Sequence, residues 1–336
     1  VKHVALGMLV AGVAGLSAQS ASAWGSTGHR VVTAEALRAL PATVPTMLAS
    51  AGMIADASEC AREPDRWRLS GPVHDALRDP FHFAYADDAG QLGGGVTFSA
   101  LPPTRAQYEA LLRKAGIDPD TVGYLPYAII DGWQQLAKDL VYWRADRAGL
   151  QHESDPAKRA WLDADRRRRE SQIALDIGLL SHYVGDATQP MHLTVHHDGW
   201  GDYPNPEGYT SARVHVPYEG AYVAAAVHPA DVRAAMPAPR SLERGVVAET
   251  GDWLAQQSGA WRDWYRAEKD GAFRPGEVRG VRYTAARLGL AAGMLRDLVA
   301  AAWTASATGQ VNYPVVKVRD LESGRADAWA ALHGVD

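Results

Sequence analysis

Five side chains able to ligate a metal fall in one stretch of the sequence: His182-x-x-x-Asp186, then His192, then His215-x-x-x-Glu219. A four-residue step on a helix puts two side chains on one face, a turn apart, so each pair can grip an ion without bending the backbone. Two pairs with a histidine between them point to more than one ion. Imidazole nitrogen mixed with carboxylate oxygen, and no thiolate, suits zinc in a hydrolytic role, where one coordination position stays open for water. Singly, each pair is better explained by a surface salt bridge or a capping histidine. The ordered set is not, because ligands at helical spacing seldom accumulate by chance.

Further candidates lie upstream. Asp65 sits in Arg62-Glu63-Pro64-Asp65-Arg66-Trp67-Arg68, His82 in Asp79-Pro80-Phe81-His82-Phe83, and His29 follows Trp24 by five residues. Alone, Asp65 after a proline reads as a helix cap and a histidine between aromatics as a core residue. Their order ahead of the downstream cluster gives them a second meaning.

Elements that position these residues are mostly helical. Apolar spacing predicts helices over Thr27–Leu40, from the Pro102-Pro103-Thr104 entry to Gly116, and over Tyr127–Trp143, Ala157–Val184, Val246–Glu268 and Tyr283–Ala305. The run Arg166-Arg167-Arg168-Arg169 falls in the polar half of the fourth and reads as a solvated helix face. Strand signals are few and short, as in Val315-Val316-Lys317-Val318, and irregular loops are expected over Ala89–Pro103 and Gly199–Tyr209. The fold class expected is mainly α, one multi-helix domain over residues 24–336 with long irregular loops.

The chain has 336 residues, 47% of them hydrophobic and 22% charged, enough to build a large core. A net charge of -5 and a pI near 6.2 exclude a general cationic surface for duplex DNA, so any nucleic acid must be held locally. Cys60 is the only cysteine, which excludes an internal disulfide and a cysteine-based zinc site. Residues 1–23 read as an export signal. Lys2 and His3 precede the apolar run from Val4 to Leu16, and Ala21-Ser22-Ala23 supplies the cleavage pattern. Cleavage after Ala23 would make Trp24 the N-terminus of a periplasmic or secreted protein. No other stretch is expected to reach transmembrane length.

In the order of its motifs the chain resembles the superfamily of zinc-dependent phospholipases C and single-strand-specific zinc nucleases of the S-one/P-one type. The motifs are Trp24-Gly25-x-x-Gly28-His29, Pro64-Asp65-x-x-Arg68, His82-Phe83, His182-Tyr183-Val184-Gly185-Asp186-x-x-Gln189-Pro190-Met191-His192 and His215-x-x-x-Glu219. The resemblance implies that superfamily's helical fold and a cluster of three zinc ions. By carry-over, Asp65, His82, His182 and Asp186 hold one ion, and His192, His215 and Glu219 a second. Trp24, through its free amino group and carbonyl, joins His29 and Asp186 on the third.

The implied activity is phosphodiester hydrolysis. A metal-bound hydroxide is available at neutral pH and attacks phosphorus in line, while Arg68 offsets charge on the non-bridging oxygens and Asp65 ligates or acts as a general base. The expected substrate is single-stranded DNA or RNA, cut by an endonuclease to 5′-phosphorylated products. The spacing of Trp24 from His29, the Asp65-x-x-Arg68 pair and Phe83 as a base-stacking ring resemble the nuclease branch. Glu219 resembles the phospholipase branch, whose substrate, a phospholipid head group, is the alternative. Trp200 and Tyr203, in the rebuilt loop Gly199-Trp200-Gly201-Asp202, are candidates for substrate stacking, whereas His196 and His197 read as exposed loop residues. No stable protein partner is implied. The segment between His82 and His182 is longer than the nuclease pattern, which implies an insertion expected to cover the site.

Overall fold

The computed structural model describes residues 24–334. The export signal expected over residues 1–23 lies outside the described residues. With 66% helix and 4% strand, the chain is mainly α.

The first half contains helices α1 (Gly25–Arg38), α2 (Ala51–Cys60), α3 (Glu63–Arg66), α4 (Pro72–Arg78), α5 (Arg105–Lys114), α6 (Pro119–Val122), α7 (Leu125–His152) and α8 (Pro156–Asp186). Their starts follow local chemistry. Ser50 accepts the Met53 N–H ahead of α2, Thr104 accepts that of Gln107 ahead of α5, and Asp155 accepts those of Ala157 and Lys158 ahead of α8. Each cap satisfies amide donors that a helix N-terminus leaves open. Helix α7 runs nine residues past the predicted end at Trp143, because its last turns bury Ala145, Asp146, Ala148 and Gly149 against the C-terminal elements.

The second half supplies α9 (His215–Pro217), a π-helical turn (Tyr218–Tyr222), α10 (Val223–Ala226), α11 (Pro229–Ala235), α12 (Val246–Gln257), α13 (Ala260–Lys269), α14 (Val278–Ser306), α15 (Val318–Glu322) and α16 (Ala328–His333). The single helix expected over Val246–Glu268 is two. Ser258 and Gly259 divide it, with the Ser258 hydroxyl bonded back to the Ala255 carbonyl. Helix α14 is long and apolar enough to cross a membrane by length and composition, which corrects the expectation that no such stretch follows residue 23. It packs against α1, α7, α8 and α11 within the main core.

Two small antiparallel ribbons complete the secondary structure. Gln310–Val311 pairs with Val316–Lys317, where a strand was expected. Gln91–Gly93 pairs with Val96–Thr97, so part of the Ala89–Pro103 stretch expected to be irregular is a hairpin, turned by Gly94 and Gly95 at positive φ. The stretch Gly199–Tyr209 has no helix or strand.

The α7–α8 pair and its contacts with α1, α2 and α14 hold the interior together. The arginine run of α8 faces carboxylates: Arg166 and Arg167 meet Asp163, Arg168 meets Asp165, and Arg169 crosses to Asp139 of α7. Cys60 is half-buried where α2 crosses α8. That crossing depends on Gly178, since a Cβ there would come within 2.5 Å of Cys60 Cβ and 2.8 Å of the Ala61 nitrogen.

Candidate metal centre

Eight residues of the sequence set are brought together at the C-terminal end of α8. His182 and Asp186 lie on its last turns, His29 on α1, Asp65 on α3, and His82 at the end of a 3-10 turn, Asp79–His82. Helix α8 stops at Asp186 because Gln189-Pro190 follows, and Pro190 opens the short 3-10 turn that carries His192. Residues 84–86 run beside 192–195 through backbone hydrogen bonds, Ala84 N–H to His192 O and Val195 N–H to Ala86 O, which draw His82 and His192 together. His215 opens α9 with its N–H on Asp198, and Glu219 sits on the π-helical turn that continues it.

Three groups of side chains could hold a metal ion: His29, His182 and Asp186; Asp65, His82 and His182; and His192, His215 and Glu219. Within each group the candidate donor atoms lie within 4.8 Å of one another. Asp186 Oδ2 is 3.1 Å from His82 Nδ1 and 3.4 Å from His182 Nε2, while its Oδ1 is 3.6 Å from His29 Nε2. This carboxylate therefore stands between the first two groups.

Backbone carbonyls set which ring nitrogens face inward. His182 Nδ1 donates to Ala61 O at 2.8 Å, His215 Nδ1 to His197 O at 2.6 Å, and His192 Nδ1 to His82 O at 2.5 Å. A carbonyl can only accept, so in each ring the proton is on Nδ1 and Nε2 points its lone pair into the site. His192 Nε2 and His215 Nε2 then face each other at 3.0 Å, and His182 Nε2 faces His82 Nδ1 at the same distance. Lone pairs opposed in this way require a proton or a cation between them. Asp186 Oδ1 and Glu219 Oε1 are buried with no hydrogen-bond partner. This oxygen and nitrogen donor set fits a zinc-class cation, which would occupy the space the lone pairs enclose.

Electrostatics agree with that fit. Burial, then neighbouring His29 and His82, pushes His182 well below the ordinary imidazole range, and burial with His215 does the same to His192. Burial, with Arg68 and His29, takes His82 down to about 3. Burial, reinforced by Asp65 and Glu219, pushes Asp186 well above the carboxylate range. His215 moves the other way. Burial disfavours its charge, but the Glu219 carboxylate at 2.8 Å, the His197 carbonyl and Asp198 together raise it. Neutral imidazoles beside carboxylates that need a positive partner are what a divalent cation binds.

Around this shell, Arg68 is held by Asp79, Nε to Oδ1 at 3.2 Å, with its charge felt at His82, Asp186 and His192. Trp24 is buried, its indole N–H given to the Gly185 carbonyl at 2.8 Å and to Thr188 Oγ1, while its own carbonyl accepts the Gly28 N–H. His29 stacks on His182 with ring centroids 4.0 Å apart. Gly185 leaves room for that stack, because a Cβ there would lie 3.0 Å from His29 Nδ1.

The expected substrate-facing residues divide. Phe83 is half-buried and stacks on Tyr85 at 4.2 Å, and Tyr85 stacks on His197 at 4.6 Å, both pairs nearly parallel. This row of three rings, ending on exposed His197, joins the backbone of the two ligand segments. Trp200 corrects its expectation. It is 5% exposed, packed among His196, Tyr209, Trp261 and Tyr265 with its indole N–H on Pro204 O, so its faces are covered. Tyr203 is 46% exposed with its ring edge-on to His196. His196, expected in solvent, is buried between Trp200 and Asp88.

Sequence reading did not assign roles to Gln189, Tyr85 or Asp198. Gln189 donates to Glu219 Oε2 at 3.1 Å and accepts the Met191 N–H at 2.5 Å. Its place in the His192 motif was the one available signal. Comparison of the chain with protein-family models, with curated proteins and with solved structures gives no match.

Proposed function

We propose that this chain is a zinc-dependent phosphodiester hydrolase with the fold of the phospholipase C and single-strand-specific nuclease superfamily, holding three zinc ions and cutting single-stranded DNA or RNA. One observation carries the reading: three buried ligand groups converge with their Nε2 lone pairs fixed inward by backbone carbonyls. Bound zinc supplies Lewis acidity toward phosphoryl oxygens and makes water acidic enough to ionise near neutral pH.

The chain's own groups do the rest. His182, His192 and His215 keep their protons on Nδ1 and so stay oriented as donors. Asp65 takes the proton of the attacking water at its carboxylate, and Arg68 pairs with the non-bridging oxygens as charge builds. Its tie to Asp79 keeps that guanidinium beside the centre. The Phe83–Tyr85–His197 row favours a base over a lipid head group, since stacked rings hold unpaired bases without a basic groove. Removal of residues 1–23 after export to the periplasm or medium frees the Trp24 amino group for the third ion.

The test is to assay the protein beginning at Trp24 against single-stranded DNA and RNA and against phosphatidylcholine, with zinc counted by mass spectrometry. Nuclease products with 5′-phosphates are expected, abolished by a strong chelator. Hydrolysis of lipid alone overturns the substrate, and undiminished activity in chelator overturns the zinc chemistry.

A further inference from the structure

Helix α4 buries none of its residues. The three most exposed aliphatic side chains among the described residues are Leu69, Val73 and Leu77, at 79%, 80% and 67%, all within nine positions. Val73 and Leu77 lie one turn apart on α4, and Leu69 just precedes it. Leu69 has φ of 64°, a left-handed conformation that a bulky L residue rarely adopts. The local bonds that hold the chain this way are Ser70 N–H to Asp75 Oδ1 at 3.2 Å and Ser70 Oγ to the Trp67 carbonyl at 2.7 Å. The strained turn therefore presents a leucine to solvent where a polar residue or glycine would fit more easily.

The place of this tip in the molecule gives it meaning. The Arg68–Asp79 ion pair closes the base of the loop, and His82 follows three residues later, so residues 69–78 stand on the rim of the metal centre. Over those ten residues Asp75 and Arg78 cancel, leaving no net charge with histidine neutral. Exposed Arg78 makes no salt bridge among the described residues. A charge-neutral apolar tip offers a polynucleotide one arginine, no cationic stripe and no phenylalanine, tyrosine or tryptophan ring on which a base could stack. A seven-residue helix, about 10 Å long, falls far short of the roughly 800 Å² per partner of a stable dimer. A lipid–water interface needs far less apolar area than a stable dimer, and a zwitterionic one needs no net charge. It takes aliphatic side chains into the acyl boundary while an arginine at their edge reaches phosphate.

We propose that residues 69–78 form a lipid-docking tip, which seats the protein on a zwitterionic bilayer with the rim of the metal centre toward the head groups. The proposal goes beyond the substrate reading and does not depend on it, because the surface can be a place of attachment whether or not its lipids are cleaved.

The experiment is co-sedimentation of the intact protein with sucrose-loaded phosphatidylcholine vesicles, compared with the variant Leu69→Asn/Val73→Ser/Leu77→Ser. Asparagine tolerates the left-handed conformation, and none of the three side chains is buried, so circular dichroism and zinc content stay as in the parent. Vesicle affinity is expected to fall about tenfold or more, given the area of three aliphatic side chains. Leu69→Met/Val73→Ile/Leu77→Ile keeps it. A well-folded polar variant that still sediments with vesicles overturns the proposal, as does a parent protein that stays in the supernatant. A dimer in sedimentation velocity that the polar variant loses also overturns it, in favour of a second copy of the chain.

Discussion

Gln189→Leu separates metal positioning from simple packing. The Gln189 amide is held at both ends: Nε2 donates to Glu219 Oε2 at 3.1 Å and Oε1 accepts the Met191 N–H at 2.5 Å. Leucine fills much of the same buried space and makes neither bond. Two losses follow, and they are read by different measurements. Glu219 keeps His215 at 2.8 Å but loses the donor that fixes its rotation, and outer partners of this kind are typically worth about 10–100-fold in metal affinity. That corresponds to roughly 1.4–2.7 kcal/mol. The Met191 N–H is left buried without an acceptor, at a cost of about 1–3 kcal/mol to the fold whether or not metal is present. Competition for zinc against a chelator of known affinity reads the first loss, and denaturant unfolding of the metal-free protein reads the second. Zinc affinity equal to the parent, with only the metal-free fold weakened, would refute the positioning role of Gln189.

Gly178→Ala drives a Cβ into the Cys60–Ala61 backbone, so α2 shifts and His182 loses its Ala61 acceptor; lower stability and lower zinc content are expected together in thermal melts and metal analysis. Asp146 is buried with neither carboxylate oxygen hydrogen-bonded, and burial, aided by Asp165, pushes its pKa up to about 8. The unfolded chain releases that proton near pH 4 and the fold holds it to about pH 8, so stability falls as pH rises through this window, by on the order of 5 kcal/mol for this group. Asp146→Asn removes that decline, and urea midpoints at pH 5 and pH 9 that differ as much in the variant as in the parent would contradict it. His197→Ala removes the exposed end of the ring row and should raise KM for single-stranded oligonucleotides by roughly 5–150-fold, about 1–3 kcal/mol, with zinc content unchanged. An unchanged KM would place the row outside the substrate path.

The long helices were legible because their signals are local. Apolar spacing marked α1, α7, α8 and α14 and placed their starts within about one to five residues. Shorter elements escaped. Helices α2, α3, α4 and α11 have too few turns for periodicity to register, and the break between α12 and α13 rests on Ser258 and Gly259 alone. Trp200 illustrates a different limit. A tryptophan in a glycine-rich loop looks exposed by composition, and only the surrounding rings of Tyr209, Trp261 and Tyr265, distant in sequence, turn it inward.

By itself the sequence determined which side chains could ligate a metal and, for His182 and Asp186, that one helix face carries both. Identity and i, i+4 spacing are properties of the chain, independent of what packs on it. Tertiary structure alone decided how those ligands meet. The carbonyls of Ala61, His82 and His197 choose the tautomers of His182, His192 and His215, and backbone bonds between residues 84–86 and 192–195 bring two ligand segments side by side. Main-chain groups are the same at every residue, so their partners leave no mark in the sequence and become known only when the chain is folded.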